Sequence, residues 1–192
     1  KNFAFKLLVI VVLLNFSYEL KARVEIWPNT SKKLSKHLQV KGDISFHQVS
    51  ENSPIRIYGY IDGFPVSSGK FGFHIHEGYS EEHNCDEVGS HYNPFGKNHG
   101  GPDDEERHVG DMGNIVVGRE GSTHVNMQDG IIKLTGEHSV IGRTVVIHEK
   151  EDDLGKEDNT ESKKTGNAGK RVACGTIILS KKKNNGDLRF LN

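Results

Sequence analysis

Eight short segments of this chain carry apolar residues with the period or composition of β-strands, and that constrains the fold more than any other feature. The cleanest is "LQVKGDISF" (38–46), with Leu38, Val40, Ile44 and Phe46 on one face and Gln39, Lys41, Asp43 and Ser45 on the other. Successive side chains of a strand point to opposite faces, so such a run buries one side. "ARVEIW" (22–27), "IRIYGYI" (55–61), "KFGFHIH" (70–76), "GNIVVG" (113–118), "THVNMQ" (123–128), "RTVVIHE" (143–149) and "ACGTIIL" (173–179) complete the set. "DG" and "SSG" supply turn chemistry between two of them. No segment has the pattern of a long helix. The expectation is all-β: an eight-stranded antiparallel barrel or sandwich in one domain, which 192 residues and 22 glycines suit.

Residues 77–112 and 150–171 break the rhythm. They are polar, glycine-rich and without a strand period. Loops of that length in a small domain usually carry function, and something must offset their disorder. The first holds Cys85, His91, His99, His108 and Asp111; the second holds Asp152 and ends at Arg171, near Cys174.

The two ends differ from the body. Residues 1–22 pair Lys1 and Lys6 with the apolar run Leu7–Leu14, the shape of a secretory signal peptide with an approximate end at Ala22. The run is too short to span a bilayer. The alternatives are an uncleaved signal-anchor and a buried strand. The expected organisation is a leader over 1–22, a barrel domain over 23–180 and a basic tail over 181–192. The expected location is secreted, extracellular. The Asn29-Thr30-Ser31 triplet is a glycosylation sequon, common by chance. Cys85 and Cys174 are the only cysteines. In an oxidising compartment they form one disulfide; the alternative is two buried thiols. Lys and Arg number 25 against 26 Asp and Glu, which argues against a nucleic-acid partner.

Of eleven histidines, His37, His47, His83, His124 and His138 sit in turns or among polar residues. The other six are His74, His76, His91, His99, His108 and His148. In "GFHIHE" (72–77), His74 and His76 share one face of a strand, as metal ligands or as two satisfied core histidines.

"GFHIHE", "HYNPFGKNHGGPDDEERHVGDMGNI" (91–115), "VIGRTVVIHEKEDDLGK" (140–156) and "KKTGNAGKRVACG" (163–175) resemble the copper/zinc superoxide dismutases over roughly residues 22–180. The resemblance implies a Greek-key barrel. It implies copper held by His74, His76, His91 and His148, and zinc held by His91, His99, His108 and Asp111, with His91 shared as a bridging imidazolate. Four imidazole nitrogens suit Cu(II), and three nitrogens with one carboxylate suit zinc. Asp152 would link His74 to His99 from behind the ligands. The family reaction converts superoxide to dioxygen and hydrogen peroxide as copper cycles between Cu(II) and Cu(I), with His91 as proton carrier. Arg171 would hold the anion near copper, and Lys164 and Thr165 would form the channel rim.

Some features depart from the family pattern. The Trp27–Leu38 linker is long, Thr160 replaces a frequent glutamate, and Gly78, Tyr79 and Ile178 alter the expected homodimer face. Lys181, Lys182 and Lys183 raise weak binding of heparin-like polyanions against a merely solvated tail. The acidic "DDEE" (103–106) reads as a solvated loop face. The rival reading is a non-catalytic metal-binding or decoy module on the same fold. Copper-delivery proteins of this type add a CxxC domain, which the sequence lacks, and decoys lose a ligand or the arginine, which it keeps. A membrane-tethered adhesion domain would require residues 3–18 to stay uncleaved.

Overall fold

The computed structural model describes residues 19–31, 39–65 and 69–180. The leader through residue 18, Leu38 and the basic tail lie outside them. The strands are β1 (Leu20–Pro28), β2 (Lys41–Gln48), β3 (Ile55–Asp62), β4 (Gly69–His76), β5 (Asp111–Val117), β6 (Thr123–Asp129), β7 (Thr144–His148), β8 (Arg171–Thr176) and β9 (Ile178–Leu179), with one short helix, α1 (Ser162–Thr165).

The sheet order is β5-β4-β7-β8-β1-β2-β3-β6, with β9 added against β1. Every ladder is antiparallel. β3 pairs with β6 and β4 with β7, so the chain crosses over twice instead of running as a plain meander. That is the expected Greek-key barrel, nearly closed where β5 approaches β6.

The alternation sets which side is inside. In β2, Ile44, Phe46 and Gln48 are buried, as is Val40 just before the strand. Ile26 from β1, Ile57 and Ile61 from β3, Phe73 and Ile75 from β4 and Ile147 from β7 complete the same core. β4 and β7 become buried on both faces towards their ends, because the two long loops fold over them.

The last expected strand, 173–179, is two. β8 begins at Arg171 and pairs with β7, whereas β9 pairs with Ala22 and Arg23 of β1. Between them Ile177 is fully buried and its backbone bonds Arg143 and Gly142, so it serves the core and a neighbouring turn. β1 starts at Leu20, and Leu20, Lys21 and Ala22 pair with Gln48, His47 and Phe46.

Two fastenings hold the first long loop. The Cys85–Cys174 disulfide ties it to β8 across 89 residues. Arg107, buried in the loop, donates to the Asp111 carbonyl and pairs with Asp129 at the end of β6.

Candidate metal centre

The pleat of β4 sends Ile75 into the core and leaves His74 and His76 on the opposite face, beneath the loops. β7 is paired with β4 and brings His148 alongside them from its last position. The first loop returns along the end of β4, where a bridge sets His91 against His76. The second loop closes over the top. There Gly166 has φ 65°, and a Cβ on it would overlap Asp152 Oδ1.

Two adjacent ligand groups result: His74, His76, His91 and His148, and His91, His99, His108 and Asp111. Within each, the ligand atoms lie within 4.8 Å of one another, and all the residues are buried. The His74 and His91 rings are 4.1 Å apart.

Hydrogen bonds set the tautomers on the first side. His74 Nε2 donates to Asp152 Oδ2 at 2.9 Å, leaving Nδ1 buried without a partner. His76 Nδ1 donates to the Gly89 carbonyl at 2.9 Å, and His148 Nδ1 to the Gly169 carbonyl at 3.1 Å. Their Nε2 atoms face each other at 3.3 Å. With the protons on Nδ1, two lone pairs meet there. His91 Nε2 is also buried without a partner. Four lone-pair nitrogens without protons to share are costly for a buried site and suited to a cation. Burial, with the neighbouring imidazoles and Arg171, holds His76 and His148 well below the usual histidine range. Burial and then His74 lower His91 to about 3. The rings are therefore neutral and free to ligate near neutral pH.

On the second side three imidazoles converge on one carboxylate oxygen. Asp111 Oδ1 lies 2.8 Å from His91 Nδ1, 3.0 Å from His99 Nδ1 and 3.1 Å from His108 Nδ1. Burial opposes the charge on Asp111, but the hydrogen bonds from His108, His91 and His99 outweigh it and hold the carboxyl well below its usual range. Three nitrogens and one carboxylate oxygen form a donor set that fits zinc.

Asp152 stands behind both groups. Its Oδ1 accepts from His99 Nε2 at 2.8 Å while Oδ2 holds His74. Asn114 fixes Asp152 in turn, donating to its carbonyl and accepting from its N–H, both at 2.8 Å. Sequence reasoning missed Asn114, Arg107 and the Gly89 and Gly169 carbonyls. Only the position of Asn114, three residues after Asp111 at the loop's return to the sheet, offered a signal.

Arg171 opens β8 beside His148. Its guanidinium donates to the carbonyls of Cys85, Asp86 and Gly89. An open cleft of about 770 Å³ is lined by His76, His91, His148, Arg171, Lys164 and Thr165 among others. Lys97, Lys150, Lys163 and Lys170 also border it, against Glu149 and Glu161. Asn29, the residue of the sequon, is 8% exposed, and its side-chain nitrogen donates to Asp86 and to the Arg171 carbonyl. Among the described residues, His47, His83, His124 and His138 join no metal group.

The copper/zinc superoxide dismutase family model matches residues 40–177. The chain is 49% identical over 142 residues to superoxide dismutase [Cu-Zn] 5 of Dictyostelium discoideum, covering 74% of this chain and 92% of that protein. It is 50% identical over 141 residues to superoxide dismutase [Cu-Zn] of Cryptococcus neoformans var. grubii, covering 73% and 91%. It is 51% identical over 142 residues to that of Claviceps purpurea, covering 74% and 92%. Similarity of this extent, over a barrel that buries two adjoining histidine-rich ligand groups, means that the chain belongs to the copper/zinc superoxide dismutase family and is an enzyme with copper and zinc as its cofactors.

Proposed function

We propose that in this superoxide dismutase His74 Nδ1 and the Nε2 atoms of His76, His91 and His148 hold copper, while the Nδ1 atoms of His91, His99 and His108 hold zinc with Asp111. The observation that carries the assignment is the position of His91, whose Nδ1 meets Asp111 and whose Nε2 is buried without a partner on the other side. When bound, copper supplies a one-electron Cu(II)/Cu(I) couple and zinc a charge with no redox chemistry.

The chain's residues do the rest. Two superoxide anions and two protons become one dioxygen and one hydrogen peroxide, so a proton donor must stand beside the site of electron transfer. His91 Nε2 would take a proton only while it is not bound to copper and would give that proton to the superoxide being reduced, while its Nδ1 stays anchored among His99, His108 and Asp111. Asp152, Gly89 and Gly169 hold the other rings in one tautomer and orientation. Arg171 has five N–H donors, and the loop carbonyls leave some of them for an anion in the cleft. Lys164 and the neighbouring lysines make the cleft attractive to an anion before it arrives.

The test is elemental analysis with a dismutase assay. Equimolar copper and zinc, with activity and copper lost but zinc kept in His148→Ala, support this assignment. Zinc alone with no turnover, after copper has been supplied, would leave the non-catalytic metal-binding module.

Secretion is part of the same proposal, supported by the leader pattern of residues 1–22 and by a disulfide that suits an oxidising compartment. Cleavage upstream of Leu20 keeps β1 whole, and N-terminal sequencing of exported protein locates it. Trp27, Tyr79 and Ile178 are exposed together around one shallow cleft, which a second copy of the chain would cover; sedimentation at two concentrations tests this. Lys181, Lys182 and Lys183 support weak heparin-like polyanion binding, tested by heparin-column retention with and without the tail.

A further inference from the structure

Asn29 and Arg171 are 142 residues apart in sequence and touch in the fold. Asn29 Nδ2 donates to the Arg171 carbonyl at 2.9 Å and to Asp86 Oδ1 at 3.2 Å. Its Oδ1 accepts from Cys85 N at 3.1 Å and from Ser31 N at 3.0 Å. The backbone follows the same route: Asn29 N donates to the Val172 carbonyl at 2.9 Å, and Thr30 N to the His83 carbonyl at 3.2 Å. Thr30 Oγ1 adds a bond to the Glu82 carbonyl at 3.0 Å. Arg171 closes the circuit from the other end, with Nη1 donating to the Cys85 carbonyl at 2.8 Å. The N–H and the carbonyl of Cys85 are thus held by Asn29 and Arg171 respectively.

We propose that Asn29 is a positioning residue for Arg171. It fixes the Arg171 backbone and the disulfide-loop backbone against which the guanidinium rests. It thereby sets the direction in which the remaining guanidinium donors meet an anion in the cleft. The proposal rests on the reading of Arg171 as the anion-holding group. It also accounts for the burial of the Asn29 amide. A glycan on Nδ2 would replace one of the two N–H groups that this circuit uses, so the folded enzyme keeps Asn29 unmodified despite the sequon.

The test compares the copper- and zinc-loaded wild type with Asn29→Ala and Asn29→Asp. Asp keeps the acceptor for Cys85 N and removes both donors, so it reports on the bond to Arg171 even where Ala fails to fold. Azide is the anion probe, titrated against the copper visible band. Loss of a buried hydrogen bond predicts azide affinity about 3- to 10-fold weaker in both variants, with metal content and the azide-free spectrum unchanged. Exchange of the Cys85 amide in the metal-free, disulfide-intact protein should quicken more in Asn29→Ala than in Asn29→Asp. Wild type exported from a glycosylating host should carry no glycan on Asn29. Unchanged azide affinity in Asn29→Asp, or a glycan on Asn29 of folded active enzyme, would overturn the proposal. Unchanged azide affinity in Arg171→Ala would overturn instead the reading of Arg171 on which it rests.

Discussion

His91 Nδ1 lies 2.8 Å from Asp111 Oδ1, and the other nitrogen of the same ring is buried without a hydrogen-bond partner. One imidazole therefore has a partner on one side and an unmet lone pair on the other. The rings of His74, His76 and His148 surround that unmet side, each within 5.9 Å of the His91 ring.

Asp152 holds His74 and His99 at once, so its loss should disturb both metals. Asp152→Ala removes two orienting hydrogen bonds from buried rings. Zinc affinity is expected to fall by about 10- to 100-fold, measured by competition with a chromogenic chelator. Asn114→Ala, which frees Asp152 without touching a ligand, is expected to produce a smaller loss in the same direction. Unchanged zinc affinity in Asp152→Ala would contradict the role given to it.

The metal-free protein should be most stable near pH 6.5. Burial keeps His76, His91 and His148 neutral in the fold, with His91 near about 3 and an ordinary value of 6.5. As pH falls below 6.5 the unfolded chain takes up protons that the folded one refuses, so stability drops. Asp111 and Asp152 add to the acid-side loss, because their depressed carboxyls stabilise the fold only while ionised. His99 has the opposite sign. Burial opposes its charge, but hydrogen bonds to Asp111 and Asp152 raise it to about 9. Its contribution is complete below 6.5 and is lost as pH rises through about 9. Urea denaturation of the metal-free protein across this range measures the curve. Stability that rises as pH falls from 6.5 to 4 would contradict these environments.

Reducing the disulfide should cost both stability and order in the anion site. On the loop-closure account a link across 89 residues is worth about 4–5 kcal/mol. Cys174→Ser in the metal-free protein is expected to lose an amount of that order in chemical denaturation. The Cys85 and Gly89 carbonyls that seat Arg171 belong to the tethered loop. The variant should therefore also bind azide more weakly once reloaded with metal. Full retention of stability would show that the loop is held by its hydrogen bonds alone.

The barrel was legible in the chain because a strand buries alternate residues and turn chemistry separates the strands. Val40, Ile44 and Phe46 are inside as their spacing requires. The break at Ile177 was not legible, since an apolar run looks the same whether it continues one ladder or changes partner. The candidate ligand residues were singled out through resemblance, and the structure gathers them into two groups that could hold a metal. The groups that orient them could not, because the Gly89 and Gly169 carbonyls act through backbone atoms with no side-chain signature. The place of Asn29 in the fold was not legible for a related reason. Its triplet is a sequon, common by chance, and only contacts with Asp86 and Arg171, far away in sequence, show the amide to be buried and bonded.

Whether the His91 ring joins two cations is read from diffraction of metal-loaded crystals at the copper and zinc absorption edges. A copper peak is expected within bonding distance of His91 Nε2 and a zinc peak about 2.0–2.1 Å from Nδ1. A His91 ring bonded to a single metal, with both metals fully loaded and copper oxidised, would contradict the proposed assignment.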